Sequence, residues 1–206
     1  MNNKAIKIKE EKKIEKSSDN KLITSCNIDQ ETVTVKGHWS YNLNNPPVKV
    51  PGIRLNIGSG VDYKPDFLNI DKYNKTADAD WDIVHLPLRD NSVAQIISYA
   101  VLEHLPQLEI LPILKEWCRV LKPNGNVVVV VPDMVSACQR FINNPDDDYA
   151  LVRIYGHQAD KGQFHKSGFT PKKLFTLFGC AGFRSIGISY FDEKNKVRNI
   201  LVEAIK

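Results

Sequence analysis

The apolar positions of this chain fall into short runs broken by polar turns, with stretches at helical spacing between the later runs. Residues 53–57, 67–70, 81–84 and 93–99 each predict a strand. After Pro106, the residues Leu108, Leu111, Leu114, Trp117 and Leu121 recur at helical spacing and predict a helix to Leu121. Pro112 is either tolerated in its first turn or kinks it. Lys122-Pro123-Asn124-Gly125 ends that helix. Residues 126–131 then carry consecutive valines from Val127 to Val131, closed by Pro132-Asp133. Such a run suits a central parallel strand covered on both faces.

Residues 135–142 predict another helix, and residues 143–169 read as an irregular polar insert. Thr170 as N-cap and Pro171 at the first helical position open a further helix, which runs to Cys180 and stops at Gly182. Residues 183–190 and 197–205 predict two final strands. The turn between them, from Asp192 to Lys196, is short enough to make them an antiparallel hairpin. The element order is that of an α/β protein without internal repeats.

Ahead of residue 53 the pattern weakens. Residues 1–35 read as a mobile, lysine-rich arm, and residues 36–52 as an aromatic and proline-rich lead-in whose Trp39 and Tyr41 pack on the domain edge. The body, residues 53–206, is expected to form one domain. The net charge of +4 belongs mostly to the arm, whose first 21 residues hold seven lysines against four acids. A nearly neutral body does not call for a nucleic-acid partner. Cys26, Cys118, Cys138 and Cys180 have neither CxxC spacing nor neighbouring histidines, so no metal site or disulfide framework is expected, and a reducing, cytoplasmic setting fits. No apolar run approaches the ~18 residues of a membrane span.

Candidate chemistry begins where the first strand ends. Gly58-Ser59-Gly60 is a tight turn, and the next strand ends in Asp71. A strand end where backbone can approach a ligand, followed by a carboxylate that can accept from a ribose diol, is how α/β proteins build nucleotide sites. Alone, a Gly-x-Gly marks a plain turn more often than a cofactor loop. The acid also lies closer than the roughly twenty residues of a dinucleotide fingerprint.

Five segments in order carry a family resemblance. They are Leu55-Asn56-Ile57-Gly58-Ser59-Gly60, then Asn69-Ile70-Asp71, then Asp82-Ile83-Val84-His85-Leu86-Pro87-Leu88 with Asp90-Asn91-Ser92-Val93. Ala100-Val101-Leu102-Glu103-His104-Leu105 and Trp117-Cys118-Arg119-Val120-Leu121-Lys122-Pro123-Asn124-Gly125 complete the set. In these the chain resembles the class I S-adenosylmethionine-dependent methyltransferases. Ile154-Tyr155-Gly156-His157-Gln158 and His165-Lys166-Ser167-Gly168-Phe169 are similar to segments of a compact branch linked to cell-surface polysaccharide biosynthesis.

The resemblance implies a Rossmann-like seven-stranded sheet, mostly parallel with an antiparallel C-terminal strand and helices on both faces. It departs from the family between Gly60 and Asp71, where the few residues available include Pro65 and leave only a vestigial first helix. S-adenosylmethionine is the implied cofactor. Its binding would involve Asn56 and the backbone of Gly58, Ser59 and Gly60, with Asp71 on the ribose, Asp82 and Ile83 on the adenine, and Tyr99 and Ala100 at the methionine end. The acceptor would be a small molecule or a saccharide, methylated at oxygen. Among five histidines, His165 is the first candidate for a base or acceptor-orienting group, supported by His157 and Tyr155, with His104 a further catalytic candidate. Glu103 is read as orienting nearby backbone.

Other readings remain at this level. Tyr190 and Lys194 match the Tyr-x-x-x-Lys pair of a nicotinamide-dependent reductase, but they straddle the expected hairpin turn. A methyltransferase fold that binds cofactor without turnover is compatible with the short first helix. An RNA or protein methyltransferase guided by the basic arm is a third alternative.

Overall fold

The computed structural model describes residues 52–191 and 198–206. The arm, most of the lead-in with Trp39 and Tyr41, and Lys194 lie outside the described residues. Six strands are present among the described residues: β1 (Ile53–Ile57), β2 (Leu68–Ile70), β3 (Val93–Tyr99), β4 (Leu121–Pro132), β5 (Arg184–Phe191) and β6 (Asn199–Ile205). They form one sheet in the order β2-β1-β3-β4-β6-β5. The β1–β2, β1–β3 and β3–β4 pairs are parallel, while β6 runs antiparallel to both β4 and β5. This is the Rossmann-like sheet with a reversed last strand that the sequence implies.

The valine run explains how the two faces are filled. Side chains alternate faces along a strand. Val127, Val129 and Val131 enter the larger core, with Trp117, Ile113 and Leu114 of α1 (Ile110–Val120) and Leu174, Leu177 and Phe178 of α4 (Pro171–Ala181). Val128 and Val130 enter a smaller cluster on the other face with Phe67, Ile97 and Leu201. Pro112 sits in the first turn of α1, where its missing N–H has no intrahelical partner to lose. The Thr170 hydroxyl accepts from the Lys173 N–H at 3.3 Å, Pro171 opens α4, and Gly182 closes it in the left-handed region at φ 101°.

Two elements differ from expectation. The seventh strand, over residues 81–84, is absent; a single bridge between Ile70 and Ala79 stands in its place. The Asp82 carboxylate accepts from the Val84 N–H at 2.9 Å, folding those residues into an Asx turn before they can pair. The loop beyond is held to α1 instead. Arg119 donates to the carbonyls of Leu86 and Leu88, and Glu116 accepts from the Leu86 N–H. The polar insert, for its part, is not wholly irregular. It contains α3 (Asp148–Tyr155), capped by the Asp147 carboxylate on the Tyr149 N–H at 3.0 Å, and α3 packs on α2 (Met134–Asn143).

No helix joins β1 to β2, and an amide network takes its place. Buried Asn69 accepts from Asn56 Nδ2 at 2.9 Å and from the Lys64 N–H at 2.9 Å. Its own Nδ2 faces the carbonyls of Lys64 and Phe67 and the Asp78 carboxylate. The Asn69 backbone N–H, donating to Asp78 Oδ2 at 2.8 Å, and after it the Nδ2 contact hold the Asp78 carboxyl below the usual carboxylate range. Asn69→Ala strands several buried polar groups, so it is expected to cost about 2–3 kcal/mol and to lower the melting temperature by roughly 5–10 °C. Thermal denaturation followed by circular dichroism checks this.

Candidate functional site

The carboxyl ends of β1, β2 and β3 lie side by side, because Ile57 pairs with Ile70 on one flank and with Ser98 on the other. Gly58, Ser59 and Gly60 leave β1 here, Asp71 follows β2, and Tyr99 and Ala100 end β3. Parallel order thus gathers on one edge most of the residues assigned to the cofactor. Asp82 and Ile83 lie on the loop beyond the Ala79 bridge, Asp82 exposed and Ile83 packed against the larger core.

The glycine turn uses its own amides. Gly58 and Ser59 donate to the Ile70 carbonyl at 2.8 and 3.2 Å, and Gly60 donates to Asp71 Oδ2 at 2.8 Å. Those N–H groups therefore brace the turn, which leaves close approach of the backbone as what the turn can offer a ligand. Gly58 has φ 70°, and a Cβ there would stand 2.1 Å from Val101 Cγ2. Gly60 has φ 48°, and a Cβ there would meet nothing within 4 Å. The first glycine is needed for packing, the second opens onto free space.

Asp71 is the centre of this brace. Oδ1 accepts from the N–H groups of Tyr73 and Asn74, both at 2.8 Å, and Asn74 Nδ2 donates to the Gly60 carbonyl. A carboxylate offers about four lone-pair sites, so Asp71 keeps capacity on Oδ2 for a hydroxyl after holding the loop. Asn56 is different. Both hydrogens of its amide are used, on the Asp62 carbonyl at 2.8 Å and on Asn69. Its place is under the turn, as a brace, and its amide hydrogens are committed to that brace.

At the end of β3 the backbone is strained. Ala100 holds φ 54°, unusual for a residue with a Cβ, and its N–H donates to the Val130 carbonyl at 2.9 Å. The 3-10 turn Leu102–His104 follows at once. The buried hydroxyls of Ser59 and Ser98 have no partner among the described residues. Open space at Gly60, spare capacity on Asp71, unpartnered hydroxyls and a strained strand end fit a polar ligand spread along this edge.

Beside it stands a second group of side chains. The strap from Gly156 to Ser167 folds back over the 3-10 turn. Gly156 bridges Phe164, and the His165 N–H donates to the Tyr155 carbonyl at 2.9 Å. The N–H groups of Lys166 and Ser167 donate to the Glu103 carbonyl at 2.7 and 3.0 Å, and the Ser167 hydroxyl donates to the Leu105 carbonyl at 2.6 Å. His165 is thereby brought against His104, ring centroids 4.9 Å apart and nearly perpendicular. Nδ1 of His104 lies 3.2 Å from the Phe164 carbonyl, and Nδ1 of His165 lies 3.0 Å from the Arg153 carbonyl.

Burial governs the titration of this group. It pulls His165 down to about 4, with His104 beside it adding to the effect, and it lowers His104 against the opposing Phe164 and Ala100 backbone. Both rings are neutral at neutral pH. Glu103 is 2% exposed, and neither carboxylate oxygen has a hydrogen-bond partner among the described residues. Burial pushes its carboxyl up to about 8. Its carbonyl does the backbone orienting expected of it, and its side chain does none.

The remaining sequence candidates are more peripheral. His157 is exposed and reaches the cluster only as a weak repulsion on a His165 proton. Tyr155 is exposed and contributes its carbonyl. Tyr190 lies on β5 under the Arg198 guanidinium, so it has no helical Tyr-x-x-x-Lys geometry. Sequence reasoning undervalued the Glu103 carboxylate. The signal available was an acid a few residues past the end of an apolar strand, next to a candidate histidine.

Residues 55–129 match the family described as "Methyltransferase domain". No curated protein matches the chain in sequence. Among solved structures, the fold is similar to a SAM-dependent methyltransferase from Methanosarcina mazei, at 18% identity and TM-score 0.57, covering 77% of this chain and 94% of that one. It is also similar to one from Archaeoglobus fulgidus, at 15% identity and TM-score 0.55, covering 75% and 86%. A third is a SAM-dependent methyltransferase, possible histamine N-methyltransferase, from Thermotoga maritima, at 16% identity and TM-score 0.52, covering 77% and 84%. Among the described residues, no helix is long and apolar enough to cross a membrane.

Proposed function

We propose that this chain, by domain and by fold a class I S-adenosylmethionine-dependent methyltransferase, methylates an oxygen of a small-molecule or sugar-containing acceptor. The observation that carries the oxygen acceptor is the His104–His165 pair, held against buried Glu103 beside the strand ends. S-adenosylmethionine supplies a methyl group already electrophilic on its sulfonium. The chain has to hold the acceptor in line with it and keep water out.

Asp71 would take a ribose hydroxyl on its remaining capacity, while the Gly58–Gly60 backbone and the end of β3 would pack along the ribose and methionine portion. Asp82 and Ile83 would meet the adenine. His165 was expected as base or orienting group. A ring held near 4 is a poor acceptor of a full proton at neutral pH but a good acceptor of a hydrogen bond, so orientation of the acceptor hydroxyl is the role this environment favours. Tyr155 and His157, exposed at the rim, would meet the outer part of the acceptor. A compact cell-surface polysaccharide branch is the narrower assignment suggested by the segments around Gly156 and His165.

Release of S-adenosylhomocysteine across a panel of sugars, sugar nucleotides and small hydroxylated acceptors tests the reading. Binding of S-adenosylhomocysteine without turnover on any of them would leave a non-catalytic cofactor-binding protein in its place. Asp71→Ala removes a charge-assisted contact and the brace of the glycine turn. It is expected to weaken S-adenosylhomocysteine about 10- to 100-fold by calorimetry, and unchanged affinity would remove Asp71 from the cofactor site.

A further inference from the structure

Glu103, His104 and His165 form a group that hydrogen bonding alone does not explain. One ligand atom from each lies within 4.8 Å of the other two. A carboxylate with both oxygens buried and without a hydrogen-bond partner is costly, and the Arg153 guanidinium acts on it only through space, with no ion pair formed between them. The two rings supply a second, independent indication. In each, Nδ1 faces a backbone carbonyl, Phe164 for His104 and Arg153 for His165. An Nδ1–H donated to a carbonyl selects the neutral tautomer whose Nε2 carries the lone pair. That carbonyl-backed imidazole is the usual arrangement behind a metal-ligating histidine.

We propose that Glu103, His104 and His165 bind one first-row divalent cation, on which the acceptor hydroxyl is coordinated. One carboxylate and two imidazoles make a donor set suited to such ions, and three ligands leave positions open for an exogenous oxygen. Three donors about 2.1 Å from one ion stand roughly 3.0–3.6 Å apart, so loading asks the widest pair of the triad, within 4.8 Å now, to close by roughly 1–2 Å. The strap that carries His165 is tied by the Lys166 and Ser167 amides to the carbonyl of Glu103, so two of the ligands share one rigid unit. A coordinated hydroxyl has a lower proton affinity, so its proton would pass to solvent before the site closes, and the oxygen would then take the methyl group as S-adenosylhomocysteine leaves. The chain then needs no side chain to act as a strong base. This deepens, and rests on, the proposed methyl transfer to oxygen: with the ion bound, the His165 lone pair holds the metal, and the hydroxyl is oriented by the metal in place of a hydrogen bond to that ring.

The test uses the full chain, without an affinity tag and stripped with chelator, titrated with Mn2+ followed by the EPR signal of the free ion and with Co2+ followed by its visible spectrum. One ion per chain is expected for at least one of the two metals. Glu103→Gln and His165→Ala should each weaken it at least tenfold. Calorimetry with S-adenosylhomocysteine on the same samples shows that the variants are folded. No saturable binding of either ion by the wild-type chain, or equal binding by both variants, would overturn the proposal and leave Glu103 as a neutral, buried acid. If the wild-type chain fails to bind S-adenosylhomocysteine, the methyltransferase reading fails instead, whatever the ions do.

Discussion

Replacing Gly156 by alanine is expected to lower methyl transfer at least about 100-fold while leaving the affinity for S-adenosylhomocysteine within about twofold of wild type. Gly156 has φ 82°, and a Cβ there would lie 1.9 Å from the Gln163 carbonyl oxygen and 2.9 Å from the His165 nitrogen. Those are backbone atoms on either side of its bridge partner Phe164, so no side chain can rotate away. The strap must move, and His165 moves with it. Displacement of a reacting group by about an ångström is enough for a loss of that size. The edge formed by β1, β2 and β3, proposed above to take the cofactor, has no hydrogen bond to Gly156 among the described residues and is left in place. Initial rates with an acceptor from the screen, beside calorimetry with S-adenosylhomocysteine, separate the two effects. Equal loss of both would mean that the strap also supports the cofactor edge.

Gly58→Ala is expected to damage both functions. The residue has φ 70°, which costs about 1–2 kcal/mol for a side chain. The new Cβ would also overlap Val101 Cγ2, and overpacking of this kind adds about 1–3 kcal/mol. A melting temperature lower by roughly 5–15 °C follows, with S-adenosylhomocysteine bound at least tenfold more weakly. Val101 immediately precedes the turn that carries Glu103 and His104, so the overlap is transmitted to the acceptor side. Truncating the obstacle offers a control. The double variant Gly58→Ala with Val101→Ala removes the overlap but keeps the backbone cost, so it should regain part of the lost stability and no more. Full recovery would show that the φ of Gly58 is not under constraint.

Much of the fold was legible because single elements announce themselves locally. The valines of β4 have no amphipathic reading other than a strand buried on both faces. Thr170, Pro171 and Gly182 mark both ends of α4 by local chemistry. Residues 81–84 carry the hydrophobic pattern of a strand but the turn chemistry of a bend: Asp82 bonds two residues ahead and turns the chain. The helix α3 was passed over because its apolar face is modest, although Asp147 and Gly156 are ordinary start and stop signals. The Asn56–Asn69 brace carries no periodicity at all. It exists only once β1 and β2 are side by side.

The candidate site divides along the same line. The glycine turn and Asp71 are close in sequence and were found together. What each of them spends on the other was not legible, because hydrogen-bond capacity is decided by the folded loop. His104 and His165 were each visible as candidates, yet their contact depends on the strap closing over the 3-10 turn. Glu103 looked like a helper because nothing in the sequence says that its carboxylate lies buried without a partner.

The position of β6 between β4 and β5 also bears on how the chain folds. The valine-rich β4 is complete by Pro132, but the neighbour that satisfies one of its edges is contributed by residues 199–205. During synthesis that edge stays unpaired while the whole insert and α4 emerge from the ribosome. A long apolar strand with an open edge is an invitation to pair with another chain. The slow, long-range closure of β6 onto β4 is therefore the step at which this protein is most exposed to aggregation, and the final hairpin acts as the latch that ends that exposure.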